Sequence, residues 1–82
     1  MRRSIDDLPV IELPPGVEDD SPVAWAVSIC DDYDDSAPRV ILTVEEIGHA
    51  GTGLVAHLEP AHARRLRIAL RDALTEIGES TD

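Results

Sequence analysis

The sequence predicts an α+β domain: a three- to four-stranded antiparallel meander with one C-terminal amphipathic helix packed on one face. Three observations carry that prediction. Residues 23–30 alternate large and small side chains with period two. Short turn-rich stretches separate them from two further apolar runs, and such short connections join antiparallel neighbours. Residues 60–77 then switch to the 3–4 spacing of an amphipathic helix.

Residues 1–22 read as a weakly ordered acidic arm. Asp6-Asp7, Pro9, Pro14-Pro15-Gly16 and Glu18-Asp19-Asp20 interrupt any period there. Within the arm, residues 8–13 form either a short edge strand or a segment that packs on a neighbour. Pro9 restricts a strand at this place to an edge or a strand start, because it has no N–H to give an inner ladder. The domain proper spans residues 23–78, and residues 79–82 are a tail.

In the first firm strand Val23, Trp25, Val27 and Ile29 share one face, and Ala24, Ala26, Ser28 and Cys30 the other. The acidic run of residues 31–38 ends it with turn chemistry. Residues 39–47 make the second strand through Val40, Ile41, Leu42, Thr43 and Val44. Residues 48–53, with three glycines, form a turn, and residues 54–58 the third strand. The large-residue face of residues 23–30 is the expected seat of the helix.

Pro60 suits the first helical position, where its missing N–H costs nothing, and Gly78 suits the stop. Ala63, Leu66, Leu70, Ala73 and Ile77 build a stripe flanked by Ala69 and Leu74, wide enough for a sheet face. The strand order followed by Leu58-Glu59-Pro60-Ala61-His62-Ala63-Arg64-Arg65-Leu66 resembles small uncharacterised proteins of actinobacteria and their phages, in which a meander runs into a Leu-x-Pro-x-x-Ala-x-x-Leu helix. The resemblance covers roughly residues 38–78. It implies the same meander-plus-helix fold and an accessory role, and brings no activity with it. Glu59 stands where those proteins place a Thr or Ser cap.

Eighty-two residues make one domain. A chain of this size buries only about 60% of its unfolded surface. Cys30 is the one cysteine, so no intrachain disulfide reinforces the core, and a lone thiol fits a reducing compartment. Met1-Arg2-Arg3 is followed by Ser4-Ile5-Asp6-Asp7 where a signal peptide needs an apolar run. No stretch reaches the roughly 20 apolar residues that span a bilayer. The expected location is cytoplasmic, with no membrane partner. Lys, Asn, Gln and Phe are absent, a bias that a GC-rich genome produces.

Net charge is −10 and is polarised. Residues 1–59 hold 13 acidic residues against three arginines, a net of −10, while residues 60–82 hold four of each and are neutral. All four later arginines fall between positions 64 and 71. An acidic body attracts basic surfaces and repels nucleic acid.

Two clusters are candidate interaction sites. Asp31, Asp32, Asp34 and Asp35 form an acidic turn that lacks the spacing and central glycine of a calcium loop, so it reads as a solvated loop open to a basic partner. Arg64, Arg67 and Arg71 lie within a roughly 60° arc bordering the apolar stripe, with Ile68 outside the stripe as an exposed anchor. That arc is suited either to carboxylates of this chain or a second subunit, or to phosphates. His49, His57, His62 and Cys30 lack the compact pair of a zinc site, and no nucleophile–base spacing stands out. The chain therefore reads as non-enzymatic and without a cofactor. One helix covers one sheet face, which leaves Ala24, Ala26, Ser28 and Cys30, joined by Ile41, Thr43 and Val55, to be covered by a second copy or by Val10, Ile11 and Leu13 of the arm. The favoured function is a homodimeric accessory protein that binds a basic protein partner. A DNA-associated regulator using the arginine face, and a metal-binding module using His57, His62 and the aspartates, are the alternatives.

Overall fold

A computed structural model describes residues 1–17, 19–49, 51 and 53–82. Glu18 of the acidic arm and Ala50 and Thr52 of the glycine turn lie outside the described residues. Four strands, β1 (Arg2–Leu8), β2 (Val23–Cys30), β3 (Arg39–Glu46) and β4 (Leu54–Leu58), precede one helix, α1 (Pro60–Glu76). The strands pair antiparallel in the order β1-β2-β3-β4, an uninterrupted meander. The predicted α+β class and the three strands read from periodicity are all present.

The edge strand is displaced from its expected place. It occupies Arg2–Leu8, not residues 8–13. Each of its side chains is exposed, so no alternation of polarity marks it. Its pairing with β2 skips at Ile5, between Ser4↔Ser28 and Asp6↔Val27, and such a bulge twists an edge away from further pairing. Past Pro9 the chain keeps one more tie to the sheet, from Ile11 N–H to Val23 C=O at 2.9 Å. Val10 and Ile11 remain exposed, while Leu13 is half-buried.

Directly paired residues share a face, and the register therefore sorts the sheet into rows. On one face the rows are Arg3–Ile29–Val40–Leu58, then Asp6–Val27–Leu42–Ala56, then Leu8–Trp25–Val44–Leu54. On the other, Cys30 pairs with Arg39, Ser28 with Ile41 and His57, and Ala26 with Thr43 and Val55. The small-residue face assembles as its sequence pattern implies.

Helix α1 follows β4 after Glu59 alone, which is extended (φ −61°, ψ 156°) and makes no side-chain cap. The helix closes in a Schellman arrangement: Gly78 takes φ +82°, its N–H reaches Thr75 C=O at 3.0 Å, and Glu79 N–H reaches Leu74 C=O at 2.9 Å. It lies on the large-residue face and approaches β3 and β4. Ala63 is half-buried, and every other α1 residue is exposed.

The molecule is consequently a slab of 45 × 33 × 15 Å. Its radius of gyration is 14.9 Å, against about 12 Å for a compact chain of 82 residues. The two buried residues among those described, Cys30 (8% exposed) and Ile41 (4%), belong to the face opposite the helix.

Candidate functional site

The large-residue face and the helix above it form an extended apolar surface. Ala63, Leu66, Arg67 and Leu70 look onto Val27, Val40, Leu42 and Leu58 across a cleft of about 240 Å³. These sheet residues all come from the first two rows. The third row, Leu8–Trp25–Val44–Leu54, does not line that cleft, and Leu54 is 79% exposed. The C-terminal half of the helix is equally open, with Leu70 59% and Ile77 73% exposed. A stripe of this kind contributes to stability only where it meets apolar atoms, at roughly 25 cal/mol per Å² removed from water.

The arginines border that surface. Arg67 lines the cleft beneath the helix and, with Leu70, Arg71, Leu74 and Thr81, a second cleft of about 280 Å³ along the helix and tail. Arg71 meets its neighbour Asp72 at 3.4 Å, and Thr75 Oγ1 donates to Arg71 C=O at 3.1 Å. No ion pair joins α1 to the acidic body among the described residues. Ile68 is exposed and stands outside both clefts. The helix thus brings Arg67 and Arg71 to its apolar edge and leaves Ile68 apart from them.

The opposite face carries a polar–aromatic cap at one end. The Arg39 guanidinium forks onto Asp35, with Nη1–Oδ1 at 3.0 Å and Nη2–Oδ2 at 2.7 Å, and also donates to Ala37 C=O at 3.2 Å. Its Cζ lies 4.6 Å from the Tyr33 ring centroid. Tyr33 Oη shares a 2.8 Å hydrogen bond with His57 Nδ1, and the two rings meet edge to face. Arg39 and His57 flank Ile41 on this face, so Tyr33 bridges the two neighbours of the most buried residue. The guanidinium, followed by the Ala37 N–H, holds the Asp35 carboxyl well below the usual carboxylate range.

The four aspartates therefore do not act as one cluster. Asp35 belongs to Arg39. Asp31 and Asp32 hold the Met1 ammonium, the latter at 2.9 Å, and raise its pKa to about 10. The same ammonium lowers the pKa of Asp31. Asp34 lines an open hollow with Asp32, Tyr33, Asp35 and Arg39. Among the described residues no three His, Cys, Asp or Glu side chains gather where they could hold a metal ion.

Sequence reasoning singled out the aspartates but not Tyr33, Arg39 and His57 as one unit. The Asp35-x-x-x-Arg39 spacing was the available local signal. The His57 contact, 24 residues from Tyr33, follows only from the strand register. No helix among the described residues is long and apolar enough to cross a membrane. No family model, no curated protein and no solved structure matches the chain.

Proposed function

We propose that this chain is a non-enzymatic interaction protein that works by engaging another protein through its open helix–sheet surface. One observation carries the proposal. The chain exposes 6533 Å², whereas a globular monomer of 8.9 kDa exposes about 4,800 Å². The excess of roughly 1,700 Å² is about twice what each partner buries in a standard protein–protein interface. It coincides with apolar side chains that the sheet and helix bring together and do not cover. The acidic remainder of the body, net −10 before residue 60, suits an additional basic protein partner whose approach it accelerates at low salt.

Light scattering and a hydrophobic dye test the proposal together. The purified chain is expected either to assemble beyond one chain mass or, as a monomer with native circular dichroism, to enhance dye fluorescence strongly. A monomer that leaves the dye dark has covered its own apolar surface and ends the proposal.

A further inference from the structure

We infer that the partner at this surface is a second copy of the same chain, docked about a two-fold axis so that the C-terminal half of each α1 lies across the other's Leu8–Trp25–Val44–Leu54 row. The inference rests on the interaction reading above and specifies its occupant.

Size, shape and charge point to this occupant. The row crosses all four strands, and three inter-strand steps span roughly 14 Å. The exposed ridge Leu70–Leu74–Ile77 rises roughly 10 Å along the helix, so it fits within the row. Both surfaces are apolar, both are open, and one chain supplies each of them once. When both contacts form about one two-fold axis the pair closes as a dimer, with no ridge or row left for a third copy. Each chain then removes one ridge and one row from water, on the order of 700 Å², close to the roughly 800 Å² that each partner buries in a standard interface and part of the larger excess.

The charges complement one another in the same arrangement. Arg67 and Arg71 border the ridge, with no carboxylate of the body paired to either among the described residues. Asp6 and Glu46 stand on the helix face of the sheet, on opposite sides of the row: Asp6 pairs with Val27 and Glu46 with Val23. Both arginines lie on the same side of the ridge, so setting it on the row brings them toward the carboxylate on that side, Asp6 or Glu46 according to the direction of the helix, once in each half of the dimer. A partner of unrelated sequence would have to reproduce both the ridge and its basic border. The second copy carries them already.

The face opposite the helix is the weaker candidate for the same role. Its most apolar end is already closed over Cys30 and Ile41, and its open end is bordered by Asp7, Thr43 and Glu45.

Three measurements on the full chain decide the matter. Light scattering is expected to give twice 8.9 kDa, and the melting temperature is expected to rise with protein concentration, because dimerisation is linked to folding. Isotope-filtered spectra of a mixed labelled and unlabelled sample are expected to show contacts from the methyls of Leu74 and Ile77 to the Trp25 indole of the other protomer. Arg67→Glu with Arg71→Glu is expected to weaken the dimer at least tenfold, and adding Asp6→Arg with Glu46→Arg to recover most of that loss. The spectra and the concentration series use the unmodified chain, so a variant that fails to fold does not block the decision. A dye-bright monomer at all concentrations overturns the second-copy inference and leaves the interaction reading standing. A dye-dark monomer overturns both. A dimer whose filtered contacts run from Ala24 and Ala26 instead places the interface on the other face and overturns the inference.

Discussion

The two faces of the sheet reverse the usual relation between residue size and burial. The helix face carries Val27, Ile29, Val40, Leu42 and Trp25, yet none of these is buried. The opposite face carries alanines, Ser28 and Thr43, and it holds the two buried residues, Cys30 and Ile41. The difference lies in what lies above each. The loop after β2 folds back over a small patch and fastens itself there by the Asp35–Arg39 fork and the Tyr33–His57 hydrogen bond. The helix spans a larger area and touches it through its first turns, leaving a cleft. A short cover closes a small face, whereas one 17-residue helix does not close a four-stranded one. Burial therefore reports the cover, and the larger face is the one left open.

The strongest way to break this comparison is to remove a side chain from each face. Ile41→Ala is expected to cost about 2–3 kcal/mol, the lower part of the range for truncating a buried aliphatic residue. The penalty should be largely independent of protein concentration, since the loop of the same chain supplies the cover. Leu70→Ala, at a 59% exposed position, is expected to cost less than about 1 kcal/mol in an isolated chain. In a dimer its penalty grows as the interface forms. Urea titrations of both variants at a low and a high concentration check this. Equal and concentration-independent penalties would show that the two faces are covered alike.

A smaller effect separates the faces by pH. The folded chain depresses the Asp35 pKa, so the pair's contribution is fully present above the ordinary aspartate value near 3.8 and is lost as pH falls through the lower folded value. Wild type should therefore be more resistant to urea than Asp35→Asn at neutral pH, and the gap should narrow as the solution is acidified below about pH 4. The Tyr33–His57 contact, followed by NMR, should loosen over the same window. A gap that stays constant through the acid range would detach the loop cap from the Asp35–Arg39 pair.

The comparison also explains which parts of the fold were legible in the sequence. Strand β2 shows itself by the alternation of large and small side chains from Val23 to Cys30, β3 and β4 by apolar runs between turn-rich stretches, and the helix by its 3–4 apolar spacing. Strand β1 hides because Arg2, Arg3, Asp6 and Asp7 sit on an edge with no side chain buried, and only the backbone ladder holds it. The apolar segment of residues 8–13 carries the stronger strand composition, yet only Leu8 of it belongs to β1. The arginine stripe was visible from helical spacing. That it borders an open cleft was not, because the tilt of a helix on its sheet depends on packing that no local pattern encodes.

The smallest effect concerns how firmly that helix is tied to the sheet. Glu59 occupies the N-cap position without a cap hydrogen bond. Glu59→Ser supplies an acceptor for a free N–H of the first turn, worth typically about 1 kcal/mol. It gives up the favourable placement of a carboxylate at the positive end of the helix dipole, worth about 0.3–1 kcal/mol. The net gain is expected to be about 0.5 kcal/mol. Where it registers is more informative than its size. If α1 unfolds with the sheet, the gain moves the urea midpoint of the Trp25 fluorescence. If α1 is held through its first turns alone, the gain appears as slower amide exchange along the helix while the Trp25 midpoint stays in place. In the dimeric arrangement Trp25 itself lies under a partner helix, so the midpoint should follow the cap at high protein concentration and become indifferent to it on dilution.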